Sequence, residues 1–202
     1  MIDIEQKTGK YGECDVVDSD LTRTRRTDRA MDDSWIRAFL HRAPYASIAV
    51  VDGNQPYINT KTFVYDETEH AIYLHGARQG RFRTCVDNSD RVCLTVTEMG
   101  RLLPADTAQE FSVEYGSVVV FGRITVITDP IQGHRALQML LDKYFGHLKP
   151  GTDYAGLTQK HVAATTVYRI DIDIERWSGK RKKEAEDFPG AFVFESIDYG
   201  DS

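Results

Sequence analysis

The chain has 202 residues, which is enough for one compact domain and leaves little room for two independent cores. Its 41% hydrophobic and 28% charged residues are typical of a globular protein and exclude a disordered or collagen-like one. The formal net charge of −6 disfavours broad electrostatic binding to nucleic acid or to an anionic membrane. Any anion that the protein binds must therefore meet a local basic site.

Targeting and metal signals are missing from the sequence. No apolar run approaches the roughly 20 residues of a membrane-spanning helix, and residues 1–11 contain no hydrophobic stretch typical of a signal peptide. We therefore expect a cytoplasmic protein without a membrane association. The three cysteines, Cys14, Cys85 and Cys93, indicate neither a disulfide framework nor a zinc site, and the six histidines lack ligand spacing. We predict no metal site.

Composition divides the chain into three parts. Residues 1–30 are polar and rich in arginine, which predicts an N-terminal arm. Residues 31–180 carry the periodic apolar patterns of the folded domain, and residues 181–202 form a C-terminal tail. Within the domain, apolar residues from Trp35 to Ala43 repeat at helical spacing, and Pro44 marks the end of this first helix.

The later pattern is dominated by short strands. The turn 52–54 predicts a hairpin between Tyr45–Val51 and Tyr57–Tyr65. Further strands are predicted at Ala71–His75, Arg91–Thr97, Tyr115–Ile127 and Thr165–Ile174, helical segments at Arg81–Val86 and from Asp129-Pro130 to about Gly146, and an exposed connection at Met99–Glu110. We predict a mainly β fold with flanking helices, a small six-stranded antiparallel barrel.

A closed barrel of this size has an interior filled by side chains, so a cofactor must lie outside it or between subunits. The predicted interior residues are Ile48, Val50, Ile58, Val64, Val92, Leu94 and Val118. Alternation along the second strand separates a core face, made of Ile58, Thr60, Thr62 and Val64, from a face that is free to contact a ligand, made of Tyr57, Asn59, Lys61, Phe63 and Tyr65.

The segment from Ile72 to Arg81 is the most informative one for chemistry. Gly76 and Gly80 bracket a strand-to-helix loop, and Arg78 and Arg81 place positive charge where a helix N-terminus favours a phosphate. The spacing is neither the dinucleotide fingerprint nor a P-loop. The alternative interpretation is a glycine turn with solvated arginines. His75 ends the strand and is either a hydrogen-bonded surface residue or a proton donor beside a redox ring.

The stretch from Arg176 to Lys183 is basic and contains one tryptophan. It is either a solvated basic run or a place where Trp177 packs on a cofactor and Lys180 adds charge near a phosphate. Beyond it, Phe188, Phe192, Val193 and Phe194 form an apolar cluster that we expect to cover another surface, such as a partner subunit.

Several segments together resemble a known family. They are Gln55-Pro56-Tyr57 followed by Lys61-Thr62-Phe63-Val64-Tyr65, then Ile72-Tyr73-Leu74-His75-Gly76-Ala77 with Gly80-Arg81, then Tyr115 to Arg123, and finally Trp177-Ser178-Gly179-Lys180. In this order they resemble the flavin-binding split-barrel proteins related to pyridoxamine 5′-phosphate oxidase, and within them the nitroimidazole-resistance-type flavoproteins.

The resemblance implies a six-stranded split barrel of the FMN-binding type, a homodimer and two FMN sites at the subunit interface. The implied contacts are Asn59, Thr60, Lys61, Thr62, Phe63 and Val64 along the isoalloxazine and ribityl chain, Leu74 and His75 beside them, Gly80 and Arg81 at the phosphate, and Ser117. Trp177 and Lys180 complete the predicted binding residues.

The sequence also departs from the family pattern. Phe82 follows Arg81 where nitroimidazole-type proteins usually have a lysine, so the phosphate depends more on Arg81 and on Lys61. The arginine and histidine pattern with which pyridoxamine oxidases bind substrate is not evident near Trp177. We therefore do not expect oxidation of pyridoxamine phosphate itself.

We expect an FMN-dependent oxidoreductase that takes electrons from NAD(P)H or another reduced donor and reduces a small acceptor such as a quinone or nitro compound. His75 is the candidate proton donor. The alternative is a non-catalytic flavin- or haem-binding or storage protein of the same fold, since a fold does not fix a function. A third possibility is the deazaflavin F420, whose acidic tail would need the arginines of the N-terminal arm.

Overall fold

The computed structural model describes residues 21–194, apart from the side chains of residues 173–176. Its helices are α1 (Asp33–Arg42), α2 (Arg81–Asn88), α3 (Pro130–Phe145) and α4 (Gln159–Ala164). Its strands are β1 (Ala30–Met31), β2 (Ala46–Asp52), β3 (Gln55–Lys61), β4 (Phe63–Asp66), β5 (Ala71–Gly76), β6 (Arg91–Leu103), β7 (Ser112–Val126), β8 (Thr166–Lys182) and β9 (Phe192–Val193). No helix in this part of the chain has the length and hydropathy needed to span a bilayer.

All of these strands belong to one antiparallel sheet. The main path runs β3-β2-β6-β7-β8-β5-β4, while β1 pairs with β8 and β9 pairs with β6. The strands β3 and β4 follow one another in the chain but lie at opposite ends of this path, so the sheet is not closed. The mainly β, antiparallel architecture with flanking helices is confirmed.

Two hydrophobic cores lie on the two sides of the sheet. The main core takes Ile36, Phe39 and Leu40 from α1 and Phe82 and Cys85 from α2, and it packs them against the strands. The second core joins Val64, Ala71, Tyr73 and Val167 of the sheet to Ala136, Leu137 and Leu140 of α3. The end of the sheet made by β4 and β5 is therefore buried on both faces.

Local signals explain where the two long helices begin. The Asp32 carboxylate accepts the backbone N–H of Trp35 at 2.9 Å at the start of α1. Asp129 accepts the N–H of Ile131 at 2.9 Å at the start of α3, where Pro130 occupies the first turn. Both are aspartate N-caps, which satisfy backbone donors that the first helical turn leaves unpaired.

The single strand predicted at Tyr57–Tyr65 is wrong. The chain changes partner at Thr62, because β3 pairs with β2 whereas β4 pairs with β5. The predicted core face of this strand is also wrong, since Ile58 is 63% exposed while Phe63 and Tyr65 are buried in the main core. Val64 is buried as predicted, but it lies against α3. Burial is confirmed for the other predicted interior residues, Ile48, Val50, Val92, Leu94 and Val118.

The predicted connection at Met99–Glu110 is wrong over its first half. Strand β6 continues to Leu103 and pairs with β7, with a shift of register between Met99 and Leu102. The Arg101 guanidinium binds the Glu114 carboxylate at 2.7 Å and 2.9 Å across this hairpin. The same guanidinium donates to the backbone oxygens of residues 184–186, so it also holds the start of the C-terminal tail.

The last strand is longer than predicted. Strand β8 runs to Lys182, so the stretch from Trp177 to Lys182 pairs with β7 and is not a free basic run. The apolar residues beyond it remain accessible, since Phe192, Val193 and Phe194 are each more than half exposed. Residues 1–20 of the predicted arm, with Cys14, and residues 195–202 of the tail lie outside the described residues.

Candidate functional site

The turn before α2 leaves its helix start open to a ligand. Gly80 is the N-cap of α2 and has φ +131°, a conformation that residues with a side chain rarely adopt. Gly80 has no side chain that could cap the helix. Its carbonyl oxygen accepts hydrogen bonds from the N–H and the hydroxyl of Thr84. The first N–H groups of α2 and the positive end of its dipole are thus suited to an anion.

Arg81 joins this turn to the β2–β3 hairpin. Its Nε donates to Asp52 Oδ2 at 2.8 Å, and its guanidinium carbon lies 4.6 Å from the centre of the Tyr57 ring. Half of the Arg81 side chain is exposed, and so is about 40% of Asp52. An ion pair this exposed contributes about 0–1 kcal/mol to folding, so Arg81 is available to exchange Asp52 for a phosphate.

Lys61 lies on the same side of β3 as Tyr57 and Asn59. Its ammonium is 4.7 Å from the centre of the Phe82 ring. The ammonium also lies close to Gly76, where an added Cβ would be 3.1 Å from its nitrogen. Burial lowers the pKa of Lys61. Among the side chains that the structure describes, no carboxylate pairs with this ammonium.

His75 lies at the end of β5 near Lys61. Partial burial lowers the pKa of His75, and the charge of Lys61 lowers it further. Both effects favour the neutral imidazole, in which one ring nitrogen is a donor and the other an acceptor.

An apolar cavity of about 300 Å³ opens beside His75. Thr62 and His75 line it from the sheet, and His161 and Thr165 line it from α4 and the residue that follows. Its apolar walls come from Leu137, Leu140, Leu141, Tyr144, Phe145 and Leu157. An apolar lining with a few polar groups is common in small-molecule sites.

Tyr144 of α3 fixes the edge of the sheet beside this cavity. Its hydroxyl accepts the N–H of Phe63 at 3.0 Å and lies within donating distance of the carbonyl oxygens of Phe63, at 2.9 Å, and Pro44, at 2.7 Å. It thereby satisfies β4 on the edge that does not face β5. The sequence pattern shows Tyr144 only as one member of the apolar stripe of α3, so this function had no local signal.

The structure brings part of the predicted site together and separates the rest. Asn59, Lys61, Gly80 and Arg81 surround the α2 turn, while Thr62 and His75 line the cavity. The side chains of Phe63, Val64 and Leu74 are buried, which leaves only main-chain atoms for a ligand.

The remaining predicted residues lie elsewhere. Thr60 is on the opposite face of the sheet, where it contacts Ser47 at 3.2 Å, and Ser117 pairs with Lys180 on the same face, farther along. The Trp177 indole is buried and donates to Asp33 at 2.9 Å. The flavin contacts assigned to all of these residues stay predictions.

An open antiparallel sheet with helices packed on it also occurs in the flavocytochrome Anf3 from Azotobacter vinelandii, with a TM-score of 0.70 and 23% identity over 89% of this chain and 87% of that one. The FAD and heme binding protein from Mycobacterium smegmatis has a TM-score of 0.66 and 21% identity, over 76% of this chain and 72% of that one. A putative 5-nitroimidazole antibiotic resistance protein from Bacteroides thetaiotaomicron has a TM-score of 0.62 and 18% identity, over 75% of this chain and 86% of that one.

These structures define the class of fold, and the sequence defines the family. The model of the pyridoxamine 5′-phosphate oxidase family matches residues 32–181, and the chain belongs to this family. The resemblance predicted from the sequence is confirmed. No curated protein sequence matches the chain.

Proposed function

We propose that this protein is a flavin-dependent oxidoreductase that binds the FMN unit of a flavin nucleotide at the α2 turn. One observation carries the proposal: a partly buried ammonium, that of Lys61, has no described counter-ion and lies beside a helix start without a side-chain cap. A desolvated charge without a partner is costly, and a phosphate would offset that cost. The flavin-binding proteins among its structural neighbours support the same assignment.

The residues of the turn fit the phosphate of FMN. Lys61 and Arg81 supply two positive charges, and the open N–H groups at the start of α2 supply neutral donors. The Asp52 carboxylate competes for Arg81. Binding a phosphate therefore requires Arg81 to release or share that carboxylate.

When bound, a flavin accepts two electrons from a donor such as NAD(P)H and passes them to an acceptor such as a quinone or nitro compound. The protein's own contribution is at the cavity beside His75. Its leucines and Phe145 provide apolar contacts for a substrate, and Thr62 provides a hydroxyl for orientation. The neutral imidazole of His75 can accept a proton from solvent on its free ring nitrogen, and the imidazolium so formed can deliver that proton to a reduced substrate.

We further propose that the protein forms a homodimer through the face of β3, β2, β6 and β7 that carries Ile58. On this face Ile58 lies opposite Ala49, which lies opposite Cys93, which lies opposite Phe121. Ile58 is 63% exposed, Val51 is 43% exposed, and the other three are only partly buried. Such a row of partly or largely accessible apolar groups is typical of a subunit contact. Ultracentrifugation tests this: a monomer at all concentrations contradicts the dimer.

A visible spectrum of the purified protein tests the main proposal. We expect flavin bands near those of free flavin, loss of these bands on adding NAD(P)H under anaerobic conditions, and their recovery on adding a quinone or nitro acceptor. A colourless protein that binds neither FMN nor FAD would refute the proposal. A bound flavin that neither donor nor acceptor alters would support the binding or storage protein instead.

A further inference from the structure

A polar cleft lies next to the loop that precedes α2, and its lining contains no residue of the hairpin that Arg81 contacts. Its volume is about 490 Å³, within the roughly 300–1,000 Å³ of ligand sites. Its polar lining includes Arg78, Arg83, Thr128, Asp129, Gln159 and Thr165. Thr165 also lines the apolar cavity beside His75, so the two spaces adjoin.

The two arginines of the cleft have donors to spare. Arg78 is exposed and makes no hydrogen bond or ion pair with any residue in the described part of the chain. Arg83 binds Asp87 through its Nε, at 2.8 Å and 3.0 Å, and its terminal nitrogens have no described partner. Asp87 pairs with Arg83 alone and Arg78 has no described carboxylate partner, so this end of the cleft keeps a net positive charge.

The other end of the cleft offers hydrogen bonds rather than positive charge. Asp129 uses one oxygen to accept the N–H of Ile131. Its second oxygen, together with the hydroxyl of Thr128 and the amide of Gln159, suits the hydroxyls of a sugar and the edge of a base. Val126, Ile127 and Val162 add apolar surface, which suits the face of a base. The chemistry is that of a phosphate followed by a nucleoside.

The loop 76–81 connects this cleft to the proposed flavin site. Gly80 and Arg81 face the proposed phosphate, and Arg78, only two residues before Gly80, lines the cleft. A group attached to that phosphate can therefore reach the cleft around a single turn of chain. We propose that the cleft binds the adenylate half of FAD, so that the resident coenzyme is the dinucleotide rather than FMN. This inference rests on the proposed function, because it extends the same flavin site.

Competitive flavin binding by the full-length protein tests the inference. The apoprotein is titrated separately with FMN and with FAD, and binding is followed by flavin fluorescence and by calorimetry. We expect FAD to bind at least about tenfold more tightly, which corresponds to one additional charge-assisted hydrogen bond. We expect Arg78→Ala to weaken FAD about tenfold and to leave FMN unchanged, and Arg78→Glu to weaken FAD further.

Arg25→Ala is the matched control. Arg25 is exposed, makes no hydrogen bond or ion pair with another described residue and lines neither the cleft nor the cavity. Its replacement removes the same charge and should change neither affinity. Circular dichroism of each variant confirms that it is folded.

Three outcomes would overturn the inference. Equal affinities for FMN and FAD in the unaltered protein would show that the adenylate makes no contact. Equal weakening of both flavins by Arg78→Ala would place Arg78 at the first phosphate. If Arg78→Ala raised the KM for NADPH and left FAD binding unchanged, the cleft would be assigned to the nicotinamide donor. If neither flavin binds, the proposed function itself has failed.

Discussion

Replacing Lys61 by methionine should separate ligand binding from folding. Methionine has a similar length and keeps the contact with the Phe82 ring, but it carries no charge. We expect Lys61→Met to weaken flavin binding strongly while the apoprotein stays about as stable as before. A residue with a purely structural role would show the opposite behaviour.

The structure sets the size of both effects. In the apoprotein the ammonium gains about 0.5–1 kcal/mol from the Phe82 ring, 4.7 Å away, and burial, which lowers its pKa, opposes that gain. The free energy of unfolding should therefore change by less than about 1 kcal/mol. A charge-assisted hydrogen bond to phosphate contributes about 1.5–3 kcal/mol, so the Kd for FMN should rise about 10- to 150-fold.

Fluorescence titration with FMN and urea unfolding of the apoprotein measure the two quantities. Lys149→Met serves as the matched control because Lys149 is exposed and its side chain makes no hydrogen bond or ion pair within residues 21–194. Lys61→Arg should retain most of the affinity. The reasoning is refuted if Lys61→Met leaves the Kd unchanged, or if it lowers the free energy of unfolding by several kcal/mol.

Three other variants test neighbouring features. Arg81→Ala should raise the Kd for FMN about tenfold and cost less than about 1 kcal/mol of apoprotein stability, because its pair with Asp52 is exposed; equal flavin binding would remove Arg81 from the site. Burial lowers the pKa of Lys143 to about 8, below its value of about 10.4 in an unfolded chain. The free energy of unfolding in urea should therefore rise between pH 8 and 10, because the folded state releases this proton first. Lys143→Met should abolish the rise and stabilise the protein at pH 7, and a rise that persists in this variant would contradict this cause. Trp177→Phe should cost about 1–2 kcal/mol in urea unfolding through the lost bond to Asp33 and leave flavin affinity unchanged, whereas a weaker affinity would favour the flavin contact predicted from the sequence.

Features that a few neighbouring residues determine could be predicted from the sequence. The aspartate cap and apolar stripe of α1 are local, and so is the Gly80-Arg81 turn before α2. The sidedness of the second strand could not be predicted, because alternation shows that two faces differ and does not show which face is covered. In β4 the signal is lost altogether, because both faces are buried, one by the main core and the other by α3.

The contacts within the site that depend on distant pairings could not be predicted either. Lys61 meets Phe82 only because β3 lies beside the start of α2, and no spacing in the sequence encodes that distance. The cavity beside His75 depends on α3 and α4, which come from the second half of the chain. The extension of β6 to Leu103 depends on its pairing with β7 and with β9.

The hydroxyl of Tyr144 binds the backbone of Phe63, so the position of Tyr144 along α3 determines whether the free edge of β4 is covered. One inserted residue before Tyr144 would turn its side chain by about 100° around the helix axis and withdraw the phenol from Phe63. The unpaired backbone of β4 would then be free to slip or to pair with another chain. Exposed positions of α3 should therefore accept many substitutions, whereas insertions and deletions between Pro130 and Tyr144 should be rare among functional variants.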